Sequence, residues 1–138
     1  GKGGIGKSMI SSHISFAFAS SGLRILHLGC DPKHDSTQLL LGGRIPRAIL
    51  DILREVDFDT RKVALEDVVL ESALNDTVPG QLFCAESGGP EPGAGCAGKG
   101  VTEAIRTLAQ LDAHDKLELD AMLYDVLGDV VCGGFAMP

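Results

Sequence analysis

The first eight residues have the spacing of a phosphate-binding loop. They are Gly1-Lys2-Gly3-Gly4-Ile5-Gly6-Lys7-Ser8, which fits G-x-x-x-x-G-K-[ST] and carries an additional lysine at position 2. Glycines let consecutive backbone N–H groups turn toward a polyphosphate, Lys7 can reach the β- and γ-phosphates, and the Ser8 hydroxyl can join the ligands of Mg²⁺. The sequence therefore predicts a nucleotide site.

Four aspartates are candidates for binding Mg²⁺ or for orienting the attacking water at that site. An apolar segment ends in Asp125, the position from which phosphate-loop enzymes hold Mg²⁺ directly or through water. Asp129 follows after a glycine and could orient the attacking water or sense the γ-phosphate. Asp31 and Asp35 lie in a polar segment, and either could contact Mg²⁺ or the water. Capping of a loop or turn is the alternative role for each of the four.

The four cysteines fall into two kinds. Cys30 and Cys84 lie among apolar residues, which favours buried thiols. Cys96 and Cys132 are surrounded by glycine, and Cys96 also precedes a predicted helix whose N-terminus favours thiolate charge. Two thiolates cannot complete a four-ligand site, but a two-fold dimer would supply four, which suits a [4Fe–4S] cluster. Structural zinc is the rival, although its usual C-x-x-C pairs are absent.

Composition excludes several classes of function. The chain has 138 residues and a formal net charge of −7, with its 12 basic residues scattered, which argues against a nucleic-acid partner. No apolar run approaches the roughly 20 residues that span a bilayer, and no secretory signal is visible. We therefore expect no membrane association and a cytoplasmic location, where cysteines serve as thiols or ligands more often than as disulfides.

Alternating helices and strands must position these residues. A helix is predicted over 7–20, with Ile10, Ile14, Ala17 and Phe18 as its apolar face, and Ser21-Gly22 can end it. The polar segment 30–37 is predicted as a loop, and 65–70 is ambiguous between helix and strand. The remaining predictions are strands over 23–28, 81–85 and 121–127, helices from Pro46 to about Glu55 and over 98–111, and a connection over 71–80.

This alternation predicts an α/β phosphate-loop NTPase with a doubly wound, mainly parallel sheet. At this length the chain corresponds to one domain, residues 1–138. A phosphate loop normally follows a buried strand. We therefore expect an internal fragment of a larger domain, lacking the first strand and the C-terminal part.

Four segments together resemble one family, the nitrogenase iron proteins or dinitrogenase reductases. They are the phosphate loop, Gly29-Cys30-Asp31-Pro32-Lys33, the stretch from Glu86 through Gly98, and the stretch from Tyr124 to Pro138. The resemblance implies a homodimer bridged by one [4Fe–4S] cluster, in which ATP hydrolysis gates electron transfer to a partner carrying the catalytic metal cluster of nitrogen fixation. It also implies ferredoxin or flavodoxin as the electron source.

The resemblance also implies roles for individual residues. Cys96 and Cys132 would ligate the cluster, and Lys2 would reach across the dimer to the other subunit's nucleotide. The segment from Asp31 to Asp35 resembles the first switch and that from Asp125 to Cys132 the second. Lys99 stands where the family carries an arginine that docks the partner, and it keeps the charge but not the planar fork.

Other functions stay open at this stage. Pro32-Lys33-His34-Asp35-Ser36-Thr37 is closer to the L subunit of light-independent protochlorophyllide reductase, a related electron donor, and another nitrogenase-like reductase is also compatible. A function of a different class is a cluster-free dimeric ATPase that positions cell-division or partition machinery. Cys96 and Cys132 discriminate between the electron donors and this ATPase, because such an ATPase has no need of two cysteines in glycine-rich segments.

Overall fold

The computed structural model describes residues 6–30, 35–89 and 97–126. Within them helices and strands alternate along most of the chain, as the sequence predicts. The elements are α1 (Lys7–Ser20), β1 (Arg24–Gly29), α2 (Asp35–Leu40), α3 (Ile49–Glu55), α4 (Leu65–Val68), β2 (Leu70–Glu71), β3 (Gln81–Glu86), α5 (Ala97–Gln110), α6 (Ala113–Lys116) and β4 (Ala121–Asp125).

The four strands form one sheet in the order β2-β3-β1-β4. Strand β1 runs parallel to both β3 and β4, whereas the two-residue β2 pairs antiparallel with β3. The mainly parallel sheet predicted from the sequence is therefore confirmed, with one short antiparallel edge. Parallel strands end at the same edge of the sheet, so β1, β3 and β4 deliver their last residues to one place.

Successive residues of a strand point to opposite faces of the sheet, and helices pack on both of these faces. On one face Leu26 and Leu28 of β1 belong to a core that includes residues of α3 and α5. On the other face Ile25 belongs to a smaller core with Ala19 of α1 and Leu40 of α2. The chain is thus a three-layer α/β arrangement, as the doubly wound prediction requires.

Helix α1 has the predicted bounds but the opposite orientation. Its buried residues are Ser8, Ser11, Ser12, Ser15 and Ala19. The apolar side chains expected to pack inward are exposed, with Ile10 at 62% and Phe18 at 41% of their accessible surface. Serines can occupy the buried face because their hydroxyls bond to carbonyls one turn back, as those of Ser11 and Ser12 do to the Ser8 carbonyl oxygen.

Two further predictions need correction. The polar segment predicted as a loop through Thr37 already becomes helical at Asp35, where α2 begins. Helix α3 begins at Ile49 rather than at Pro46, because Ala48 is extended and forms a parallel bridge to Glu86 of β3. Ile45 consequently lies outside α3 and is 57% exposed, whereas Ile49 and Leu53 of the helix are buried.

The ambiguous segment over 65–70 contains both alternatives, a single helical turn followed by the start of β2. Helix α6 was not predicted. Strands β1, β3 and β4 and helix α5 fall within one or two residues of their predicted bounds. Among the residues that the model describes, no helix combines the length and apolar composition that crossing a bilayer requires.

Candidate nucleotide and cluster site

Two buried carboxylates flank a glycine where the parallel strands end. Gly29 of β1 lies in register with Glu86 of β3 on one side and with Asp125 of β4 on the other. Glu86 is fully buried and Asp125 is 3% exposed. A Cβ atom on Gly29 would overlap the Glu86 carboxylate, so the glycine leaves the room that this carboxylate occupies. The sheet therefore presents acidic groups at the edge where doubly wound proteins bind ligands.

Helix α1 brings the lysine of the phosphate loop to this edge. Gly6 has φ of 101°, a left-handed conformation that glycine adopts readily, and α1 begins at the next residue. The Lys7 ammonium lies 3.5 Å from Oδ1 of Asp125 and donates a hydrogen bond to the Val126 carbonyl oxygen. The structure thus brings together two of the residues that the sequence predicts for one site.

Ser8 and Asp125 carry the oxygen atoms best suited to a magnesium ion. Ser8 is 1% exposed, and its Oγ is buried with no hydrogen-bond partner in the described part of the chain. The same holds for Oδ2 of Asp125. Buried polar atoms normally have partners, so two such oxygens, one on the residue after Lys7 and one on the carboxylate that contacts Lys7, point to a ligand. Hydroxyl and carboxylate oxygens are the donors that Mg²⁺ prefers, so these residues fit the ion.

The second buried carboxylate is bound by α2. The Thr37 hydroxyl donates to Oε1 of Glu86, and both residues are fully buried. Neither was predicted as a site residue. The available signal was that β3, like β4, is an apolar strand ending in a carboxylate, a feature used to identify Asp125 but not Glu86.

The segment that follows β3 is held by α3. The Leu50 amide donates to the Ser87 carbonyl oxygen at 3.1 Å, and the Arg54 guanidinium donates to the Gly89 carbonyl oxygen at 3.0 Å. Gly88, at φ of 84°, packs so closely that a Cβ atom would lie 2.8 Å from Cβ of Ala48. These contacts therefore hold the chain against α3 after β3 as far as Gly89.

Cys30 and Cys84 are buried free thiols, as predicted. Burial raises the pKa of Cys30 to about 11 and that of Cys84 to about 12, so both stay protonated at neutral pH. A thiol must lose its proton to ligate a metal. These two cysteines are therefore poor cluster ligands, and no group of three His, Cys, Asp or Glu side chains gathers as a metal site within 6–30, 35–89 and 97–126.

The remaining predicted residues are placed only in part. Lys99 is exposed near the start of α5. Asp35 is the first residue of α2. Other predicted site residues lie outside the described part of the chain: Gly1, Lys2, Gly3, Gly4, Ile5, Asp31, Cys96, Asp129 and Cys132.

Comparison with known protein families agrees with this geometry. A family model described as "4Fe-4S iron sulfur cluster binding proteins, NifH/frxC family" matches residues 1–138. The match spans the phosphate loop, both buried carboxylates and all four cysteines. With the whole sequence covered, the chain belongs to the NifH/frxC family of 4Fe-4S iron–sulfur cluster binding proteins.

Proposed function

We propose that the protein is the reductase component of a nitrogenase, an iron protein in which ATP hydrolysis gates electron transfer to a catalytic metallocluster protein in nitrogen fixation. The observation that carries the proposal is the contact between Lys7 and Asp125 at the end of the sheet. Asp125 begins the short sequence that reaches Cys132, so a phosphate site and a cluster ligand belong to one segment. Membership in a cluster-binding family supports the same function.

The nucleotide half of the mechanism uses residues around Lys7. Its ammonium would turn from Asp125 to the β- and γ-phosphates of ATP and offset their charge, while Ser8 and Asp125 would contribute oxygens to Mg²⁺. Lys2 of the other subunit approaches the same phosphates. Asp129 orients the attacking water, with Asp31 and Asp35 as the alternative carboxylates for the water or the ion.

The cluster half uses the two cysteines that are not buried thiols. Since Cys30 and Cys84 stay protonated, Cys96 and Cys132 are the ligands that remain among four cysteines. Two chains related by a two-fold axis supply four thiolates, which is the number a [4Fe–4S] cluster takes. When bound, the cluster supplies one-electron chemistry. Cys96 directly precedes α5, whose N-terminal dipole favours negative charge there.

Coupling between the two halves follows from short distances along the sequence. Release of the γ-phosphate would shift Gly128 and Asp129, and Cys132 is three residues after Asp129 in the sequence. A small change at the nucleotide therefore alters the setting of a cluster ligand and the affinity for the partner together. ATP hydrolysis in this scheme controls timing and docking, and the electron comes from ferredoxin or flavodoxin.

The identity of the electron acceptor has an alternative. Positions 32–37 are closer to the L subunit of light-independent protochlorophyllide reductase, so that enzyme or another nitrogenase-like reductase is the second candidate. Both candidates share the ATP site and the bridging cluster. Electron transfer to purified molybdenum–iron protein, compared with the catalytic component of the protochlorophyllide enzyme, separates them.

Iron analysis tests the proposal. The intact protein, purified without oxygen, is expected to be a dimer holding about four iron and four sulfide ions per two chains. Cys132→Ala and Cys96→Ala should lose them, and Cys30→Ala, the matched control, should keep them. A dimer that binds ATP but takes up no iron on reconstitution would instead support a cluster-free ATPase switch.

A further inference from the structure

A buried histidine joins the helix of the phosphate loop to the helix that follows the first switch. His27 lies in β1 on the face covered by α1 and α2 and is fully buried. Its Nδ1 is 2.7 Å from the hydroxyl of Ser15 on α1, and its Nε2 is 2.9 Å from the hydroxyl of Ser36 on α2. The imidazole therefore contacts both helices at once.

A second serine makes a parallel connection. The Ser12 hydroxyl lies 2.6 Å from the Ser8 carbonyl oxygen and 3.2 Å from the Ser36 carbonyl oxygen. Ser36 is thus held through its side chain by His27 and through its main chain by Ser12. We refer to Ser12, Ser15, His27 and Ser36 as the serine–histidine strut. No member is more than 2% exposed, so water does not compete for these bonds.

The strut carries no charge at neutral pH. Burial lowers the pKa of His27 to about 4, against the opposing effect of Asp125, so the imidazole is neutral. A neutral imidazole donates from one ring nitrogen and accepts at the other, which engages both serine hydroxyls. Leaving a buried polar partner unsatisfied costs about 1–3 kcal/mol, so removing the ring affects both helices.

The serine–histidine strut adjoins two of the proposed site residues. Ser8, whose carbonyl oxygen accepts the Ser12 hydroxyl, is a proposed magnesium ligand. Asp35, a proposed carboxylate for the water or the ion, is the first residue of α2 and immediately precedes Ser36. We propose that His27 is a positioning residue that sets α2 against α1 and so fixes the spacing between Ser8 and Asp35 during ATP hydrolysis. This inference rests on the proposed function. A misplacement of about 1 Å can lower turnover about a hundredfold, so a residue that fixes this spacing matters to catalysis.

Two amide variants separate the two bonds of His27. The amide of His27→Gln reaches the position of Nε2 and can keep the Ser36 bond, whereas the amide of His27→Asn reaches the position of Nδ1 and can keep only the Ser15 bond. We expect His27→Asn and Ser36→Ala to lower kcat for ATP hydrolysis at least about tenfold, with the KM for ATP within about twofold. His27→Gln should recover most of kcat, and Ser20→Ala, an exposed serine of the same helix, should match the parent.

The result that would overturn the inference is an unchanged kcat in His27→Asn and Ser36→Ala, or an equal loss in His27→Gln and His27→Asn. If the His27 variants do not fold, the comparison of kcat between Ser36→Ala and Ser20→Ala tests the inference by itself. Equal kcat values in these two variants would overturn it. Failure of the proposed function gives a different result, because the parent protein would then hold no iron or hydrolyse no ATP.

Discussion

The ammonium of Lys7 lies 3.5 Å from Oδ1 of Asp125 and joins the start of α1 to the end of β4. The lysine side chain is 37% exposed and the carboxylate 2%, so the pair sits at the boundary between solvent and the sheet. One partner belongs to the phosphate loop and the other begins the segment that leads to Cys132. In the proposed function this contact is where the nucleotide site meets the segment that leads to the cluster ligand.

Replacing Lys7 should weaken ATP binding without removing the fold. Lys7→Gln keeps a polar, slightly shorter side chain but loses the charge that would meet the phosphates. Charge-assisted hydrogen bonds contribute about 1.5–3 kcal/mol, so the affinity for Mg·ATP should fall about tenfold to a hundredfold. Calorimetric titration measures this directly. Lys116→Gln on α6 is the matched control, and parent-like affinity in Lys7→Gln would remove Lys7 from the site.

His27 should make the protein acid-sensitive in a defined range. The unfolded imidazole takes up a proton near pH 6.5, whereas the buried one does so only near pH 4. The unfolded state therefore binds more protons between these values, and the free energy of unfolding should fall by about 3 kcal/mol as the pH drops through them.

Urea unfolding at a series of pH values measures this dependence. His27→Gln should lose this part of the slope, while His13→Gln, which changes an exposed histidine of α1, should retain it. An identical slope in His27→Gln and the parent would show that His27 is not the group responsible.

The contact between Thr37 and Glu86 should contribute to stability through its hydroxyl. Thr37→Val preserves the shape of the side chain but removes one donor to a fully buried carboxylate. We expect a loss of about 1–3 kcal/mol in the free energy of unfolding, measured by denaturant titration. Thr37→Ser, which keeps the hydroxyl, should lose markedly less. Equal losses in the two variants would assign the effect to packing instead.

Lys99 should act on docking and not on folding. Its side chain is exposed on α5, so Lys99→Ala should leave the melting temperature unchanged. The concentration of metallocluster protein needed for half-maximal electron transfer should rise about tenfold, because the docking charge is lost. Lys99→Arg should remain close to the parent. An unaltered requirement for partner in Lys99→Ala would place the docking surface elsewhere.

Much of the fold is readable from the sequence because the strands are short apolar runs. Strands β1 and β3 and helices α1 and α5 lie close to their predicted bounds. The face of α1 was predicted wrongly, since hydrophobic periodicity locates an apolar stripe but not the surface it meets. In this helix serines satisfy their own hydroxyls one turn back and so occupy the buried side.

The candidate site, like the fold, could be predicted from the sequence only in part. Lys7, Ser8 and Asp125 could be predicted as candidates because each occupies a fixed place in a motif or at a strand end. Glu86 and His27 were not predicted because their contacts with α2 connect residues that are not adjacent in the sequence. Such partners depend on which residues share a face of the sheet, and no local pattern specifies that.

The most direct test of the account is the effect of Mg·ATP on the cluster. The midpoint potential and electron paramagnetic resonance spectrum of the reduced, intact protein should change when Mg·ATP is added. Asp125→Asn, which leaves a weaker magnesium ligand beside Lys7, should keep the cluster but lose most of that change. A cluster whose potential and spectrum are the same with and without Mg·ATP in the parent protein would contradict coupling between the two sites.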